Sequence, residues 1–408
     1  MSDRARTEGG HGPPPRAGGP CLPTASGRSL GFLLFLGSVA SAQFPATRPA
    51  PAAPAPEDLT ALLSPIREKH GLPALGAAIV RGEKLAALGA VGVRRQGDAT
   101  PVTPQDLWHI GSCTKSMTAT LIARLVDRGT LSWTTTLADV FPEIARNMSP
   151  GWEKATLEMF LAHRAGAPSD LDGEGLWARL WKREGTPTDQ RRQLLEGVLA
   201  RPPVSLPGTK FLYANAGFAI AGAMAEKTTG KAWEVLMQEE LFGPLGMRRA
   251  GFGAPGEAGR LDEPRGHVPG PEGPVPAEPG PAADNPPAIA PAGTVHAALE
   301  DWASYAALHL AGARGKSEFL KPETWKRLHT PPAGGDYAFG WVVRTEKWAG
   351  GRALWHNGSN TMWFAEIWIA PDKDAAILCV TNCGGAGGEK GCAEASSTLA
   401  RRLLPEKP

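Results

Sequence analysis

Ser112 and Lys115 stand three residues apart at the head of a run carrying Met117, Leu121, Ile122, Leu125 and Val126 at helical spacing. On a helix of 3.6 residues per turn, positions three apart share a face, so the amine reaches the hydroxyl. That is a nucleophile beside a base, placed at a helix start where the dipole favours developing negative charge. A lysine deprotonates a serine only if burial or a nearby cation lowers its pKa, so other residues must supply that environment. Of the chain's three tyrosines, only Tyr213 is followed two residues later by asparagine. Its phenol can relay a proton among nucleophile, Lys115 and leaving group, and Asn215 can donate to and accept from a substrate amide. Further on stand His356, Gly358 and Ser359. Together these residues supply the parts of an acyl-transfer site.

Ser112-x-x-Lys115, Tyr213-x-Asn215 and His356-x-Gly358, in this order, resemble the three motifs of the penicillin-recognising serine hydrolases. That superfamily holds class C β-lactamases, D-alanyl-D-alanine carboxypeptidases, D-amino-acid peptidases and related esterases. The resemblance covers residues 56–404 and includes Leu107-Trp108-His109-Ile110-Gly111, residues 160–166, Leu206-Pro207-Gly208 and Phe339-Gly340-Trp341. It implies a mixed α and β fold of the β-lactamase/DD-peptidase type: an antiparallel sheet of about five strands covered by helices, with a largely helical inserted subdomain. It implies Ser112 as nucleophile and Lys115 and Tyr213 sharing the general-base work, which of the two takes the proton being open. Asn215, His356, Gly358 and Ser359 would bind substrate, and backbone N–H groups of Ser112 and Ser359 would hold the oxyanion. Two positions depart from the pattern. His356 replaces the lysine usual in β-lactamases of this type, so antibiotic hydrolysis is not the default reading, and an imidazolium there would meet a substrate carboxylate and fade as pH rises. Ala165 replaces a frequent serine in what reads as scaffold.

The elements that must position these residues follow from pattern. Residues 57–70 read as a helix, 74–80 and 85–93 as a hairpin, and 337–344, 352–356, 362–370 and 375–381 as further strands, with a turn at 371–374. A helix over 393–404 closes the chain. Residues 255–291 hold eleven prolines, which forbid regular helix or central strand, so this stretch reads as a loop. It would either wall the cleft or be a solvated excursion. Sheet would come from 57–111 and 292–404, helices from 112–291. Trp355 and Trp363, beside the third motif, are candidates to line a cleft for an apolar acyl group, packing in the core being the commoner use of such residues.

The chain has 408 residues, 42% of them hydrophobic, enough for a sizeable core. A net charge of +2 with scattered Lys and Arg leaves nucleic-acid binding without a footprint. Arg16 and Arg28, the apolar stretch over 30–40 and Ala40-Ser41-Ala42 read as a secretory signal over 1–42. About eleven apolar residues are too few to span a bilayer. Export to a periplasm or medium follows, with cleavage after Ala42, a Pro/Ala-rich tether over 43–56 and no membrane span in the mature form. Cys113 and Cys379 read as core; Cys383 and Cys392 flank a glycine-rich stretch and either pair or stay free. No spacing suggests a metal, and no cofactor is implied. The expected function is an exported serine hydrolase forming an acyl-serine on a small-molecule or peptide substrate, a D-amino-acid peptide or cell-wall type first. A carboxylesterase or β-lactamase is the alternative on the same site. A non-catalytic penicillin-binding module is the alternative from another class, but such a module need not keep serine, lysine and tyrosine together.

Overall fold

The computed structural model describes residues 55–403. The signal segment and residues 43–54 of the tether lie outside the described residues. Eight strands form the main sheet: β1 (Glu57–Asp58), β2 (Ala74–Arg81), β3 (Lys84–Gly92), β4 (Tyr337–Ala338), β5 (Trp341–Glu346), β6 (Gly351–Ser359), β7 (Phe364–Ala370) and β8 (Ala375–Thr381). Their order is β1-β3-β2-β8-β7-β6-β5-β4, antiparallel except for the short β1–β3 pair. β8 joins the two ends of the chain by pairing with β2 from Ala375↔Arg81 to Thr381↔Leu75. Every residue of β8 is buried, as expected of a central strand covered on both faces. The expected segment over 337–344 is broken in two, because Phe339 adopts φ 40° and turns the chain between β4 and β5.

Six helices matter for the site: α1 (Thr60–Lys69), α2 (Thr114–Asp127), α3 (Pro187–Leu199), α4 (Asn215–Thr229), α5 (Leu299–Ala313) and α6 (Gly385–Arg401). One face of the sheet packs on α1 and α6 through Leu63, Ile66, Cys379, Cys392 and Leu399. The other packs on α2 and α5 in a continuous core that runs on into α3 and α4. α2 is buried nearly all round, and its hydroxyls are satisfied internally: Ser116 donates to Cys113 O, Thr118 to Pro291 O and Thr120 to Ser116 O. A helix so enclosed is a rigid mount.

Two sequence expectations change. α6 begins at Gly385, well before residue 393, and takes in most of the glycine-rich stretch; a Cβ at Gly388 would lie 2.1 Å from Cys383 O and 3.2 Å from Phe364 Cβ, so the close packing of the helix start on the segment leaving β8 requires glycine. Cys383 and Cys392 are free and buried, as are Cys113 and Cys379. The proline-rich stretch is also more ordered than a loop. It holds a hairpin, Gly266–Gly270 with Gly273–Ala277, whose prolines are tolerated because a two-stranded ribbon is all edge. That hairpin is docked, with His267 N donating to Met362 O and the His267 ring against Asn382 O. A small second sheet, Trp108–His109 with Val295–Ala297 and Ala250–Phe252, ties the segment before Ser112 to the one after the proline-rich stretch.

Candidate active site

The nucleophile candidate sits on a tight turn. Gly111–Cys113 is a single 3₁₀ turn that runs directly into α2, so Ser112 lies just before the helix proper. The end of β6 presses on this turn. A Cβ on Gly358 would stand 2.1 Å from Ile110 O and 2.4 Å from Ser112 N, and one on Gly111 would stand 2.3 Å from Ser359 N. Only glycine permits that contact, and this explains Gly358 better than any dealing with substrate. Cys113 Sγ points to His356 O at 3.7 Å, a further tie between turn and strand.

Lys115 is fully buried. Its Nζ lies 3.0 Å from Ser112 Oγ, 2.8 Å from Asn215 Oδ1 and 2.8 Å from Ala292 O. Two of these partners are carbonyl oxygens that only accept, and the third is a hydroxyl that can donate. A neutral amine fits this set, giving its two hydrogens to the carbonyls and offering its lone pair to the serine. Burial brings the Lys115 pKa down to about 7, and no carboxylate is close enough to restore it.

Tyr213 lies across the amine, with Nζ 4.7 Å from the ring centroid. Tyr213 is 37% exposed as a residue, but the protein around its phenol oxygen desolvates it and pushes its pKa up, opposed by hydrogen bonding with Ser112, so the phenol keeps its proton at neutral pH. His163 holds the Tyr213 segment from behind. Its Nδ1 accepts from Ala214 N at 3.1 Å, and its ring stands 4.3 Å from that of Tyr213. This histidine occupies the left-handed region at φ 57° and is held neutral by burial. Asn215 begins α4 and spends its Oδ1 on Lys115, so its expected two-way contact with a substrate amide reduces to the donor side.

The third motif differs more from expectation. Along β6, Leu354, His356 and Gly358 face α2, while Trp355 alternates to the far face, where Arg344 stacks on it at 3.9 Å. Trp363 is core, set edge-on against Trp108. Neither tryptophan lines the site. His356 is buried; its Nδ1 donates to Asn357 O and its Nε2 accepts from Tyr337 Oη at 3.1 Å. Burial, reinforced by Lys115, takes its pKa down to about 3. The imidazolium expected from sequence is therefore absent at neutral pH, because the ring sits inside the protein and not on the cleft wall. Ser359, next along, is exposed, and its Oγ accepts from Thr361 N.

A family profile described as Beta-lactamase matches residues 59–396. The chain belongs to the Beta-lactamase family. It is a serine hydrolase of that family, with the mixed α and β fold expected. It is 27% identical to Penicillin-binding protein 4 of Amycolatopsis lactamdurans, over 78% of this chain and 83% of that protein. It is 25% identical to Unguisins hydrolase ungD' of Aspergillus campestris, over 81% of this chain but only 62% of that longer protein. Among solved structures, the octameric penicillin-binding protein homologue from Pyrococcus abyssi superposes with a TM-score of 0.67 at 22% identity, over 85% of this chain and 78% of that one.

In this Beta-lactamase family chain two cavities of about 580 and 550 Å³ include none of Ser112, Lys115 or Tyr213 in their walls. Asn215 instead opens on a cleft of about 180 Å³ lined by Ser169, Asp170, Leu171, Asp172 and Ile289. Val204, Leu206 and Phe211 are exposed on the segment leading to Tyr213, and the Phe211 ring stands beside the site, 5.8 Å from that of His163 and 5.7 Å from that of Tyr337. Sequence reasoning missed the Ala292 carbonyl, since a backbone acceptor has no residue signature. It also missed Tyr337, whose partner His356 is adjacent only through the sheet. Among the described residues no His, Cys, Asp and Glu cluster could hold a metal ion, and no helix is long and apolar enough to cross a membrane.

Proposed function

We propose that the chain hydrolyses an ester or amide through an acyl-enzyme on Ser112, with Lys115 as the base. The observation that carries this is the Lys115 amine, buried, with a pKa of about 7 and 3.0 Å from Ser112 Oγ. Lys115 takes the hydroxyl proton as Oγ bonds to the carbonyl carbon, and backbone N–H groups of Ser112 and Ser359 receive the developing oxyanion. Tyr213, still protonated, passes a proton to the leaving group while the Ser112 acyl bond forms and the substrate bond breaks. Tyr213 regains a proton from the Lys115 ammonium, which restores the neutral amine; water then attacks the acyl-serine, Lys115 takes its proton and passes it to Ser112 Oγ as the acid product leaves.

The substrate in this reading is neutral near the third motif and apolar beside Tyr213. The exposed Phe211, its ring against those of His163 and Tyr337, supports the apolar part, and the withdrawal of His356 from the cleft leaves the third motif without a cation for a substrate carboxylate; both favour an esterase or a neutral amidase. A D-amino-acid or cell-wall peptide is the second reading, favoured by similarity to a penicillin-binding protein over most of both chains. The test is to label purified protein in parallel with a fluorescent penicillin and an activated apolar acyl ester, followed by peptide mapping. Labelling of the Ser112 peptide by the ester alone supports the first reading, and by penicillin the second; labelling of neither sinks the assignment.

The state of His356 yields a separate expectation. Because its ring stays neutral above about pH 3, His356→Gln should leave the pH dependence of KM for an anionic substrate between pH 5 and 9 as it is in the native enzyme. A rise in KM for the anion through pH 6 to 7 that His356→Gln removes would show that His356 charges and binds it, whereas a rise caused by Lys115 losing its charge near pH 7 would persist in that variant. Export also forms part of the proposal, resting on the apolar stretch and Ala40-Ser41-Ala42. Protein recovered from a bacterial periplasm or medium should begin at Gln43, and N-terminal sequencing that finds residues 1–42 retained would remove the signal.

A further inference from the structure

A buried carboxylate outside the reacting groups links the two turns that approach each other at the site. His109 precedes the Ser112 turn and is fully buried. Its Nδ1 accepts from Gly111 N at 3.2 Å, which leaves the ring proton on Nε2, 2.9 Å from Asp284 Oδ2. The other oxygen, Asp284 Oδ1, accepts from Asn360 Nδ2 at 3.1 Å and from Asn285 N at 2.8 Å. Asn360 follows Ser359 directly; it also donates to Ala283 O, and its Oδ1 accepts from Met362 N at 3.2 Å. Asp284 and Asn360 are both buried. The carboxylate is itself held by its backbone, since Arg183 donates to the carbonyls of Pro281, Asp284 and Asn285.

We propose that Asp284 is a positioning residue for the hydrolysis, setting the spacing between the Ser112 and Ser359 backbone N–H groups through His109 on one side and Asn360 on the other. The proposal rests on the reading of those two groups as oxyanion donors. Each turn hangs on one oxygen of the same carboxylate, and the backbones between them already touch, so a change at Asp284 moves one turn against the other. Donors aimed at a developing charge lose effect steeply with displacement, whereas binding of the ground-state ester does not depend on them. This gives the proline-rich stretch that supplies Asp284 a function in the site: a strut between two turns.

Asp284→Asn keeps the shape but has one acceptor oxygen where three donors, His109 Nε2, Asn360 Nδ2 and Asn285 N, must be met. Facing His109 with its oxygen, the amide would turn its Nδ2 toward the Asn360 Nδ2. With a chromogenic apolar ester, kcat is expected to fall roughly 10- to 100-fold while KM stays within about two-fold. Affinity for a boronic acid that mimics the tetrahedral state should fall in the same proportion as kcat. Pairing it with Asn360→Asp offers the Nδ2 group an acceptor again, and the double variant should recover part of both losses, the Ala283 carbonyl losing its donor and Asn285 N its acceptor. If Asp284→Asn does not fold, Asn360→Ala cuts the same link from the other side and should show the same split. A lower melting temperature with unchanged kcat and boronate affinity would make Asp284 merely structural and overturn the proposal. Ser112→Ala runs alongside: if it still turns over the ester, the nucleophile reading has failed and this one with it, whereas a dead Ser112→Ala beside a fully active Asp284→Asn overturns the positioning role alone.

Discussion

Replacing Ser112 with alanine is expected to lower kcat by roughly 10⁴-fold or more on any good ester or amide substrate, because no second nucleophile stands where it does. Lys115 then has an amine with nothing to activate, and Tyr213 has no adduct to which it can pass a proton. The Cys113 thiol next door does not substitute: burial raises its pKa, and it points to His356 O. The fold should survive. Lys115 keeps two of its three partners, Asn215 Oδ1 and Ala292 O, so the melting temperature should move by no more than about 1 kcal/mol of stability implies. The check is burst kinetics and intact-protein mass after mixing with an activated acyl ester. The native enzyme should gain one acyl group and the variant none; an acylated Ser112→Ala protein turning over at the native rate would move the chemistry to another residue.

What the sequence made legible, and what it hid, divides by the range of the interaction. Ser112 and Lys115 share one helical turn, and a turn is local enough that periodicity alone brings hydroxyl and amine together, here at 3.0 Å. The strands over 74–80 and 375–381 were readable for the same reason, each being a short apolar run bounded by turn residues. His356 was not readable. Its type suggested a titrating group, but its state depends on burial, reinforced by Lys115, and the sheet and α2 bring that enclosure, Tyr337 included, from distant parts of the chain. Composition also misled where pattern rules are statements about central strands: the prolines of 255–291 exclude those, yet they allow a two-stranded ribbon and the short turns that carry Asp284 and Pro287. Asn215 was placed at the site, while its first partner turned out to be Lys115 and not the substrate. The free Cys383 and Cys392 follow the same rule, since the glycines between them belong to α6 and its packing on the sheet.

Replacing Lys115 with methionine should separate the cost of the site from its use. The Lys115 pKa falls from an ordinary 10.5 to about 7 because the folded protein buries the amine. Between those two values the unfolded chain binds more protons than the folded one, so stability rises with pH across that window. Below about pH 7 both states are protonated and the full penalty is present, on the order of 5 kcal/mol for such a shift. Above about 10.5 both are neutral and it is gone. Denaturant titrations from about pH 7 to 8.5 should show this slope in the native enzyme and lose it in Lys115→Met, whatever the variant's absolute stability after the Asn215 and Ala292 oxygens lose their donor; above that window the four buried cysteine thiols, whose pKa values burial raises, pull stability the other way in both proteins. Activity carries the matching sign. A base must be neutral to accept the serine proton, so kcat/KM should climb with pH through about 7 and level off, while Lys115→Met should be lower by roughly 10²- to 10⁴-fold with that rise removed. A native profile that stays flat below pH 6, together with a persisting stability slope in the methionine variant, would take the titration away from Lys115 and reopen Tyr213 as the base.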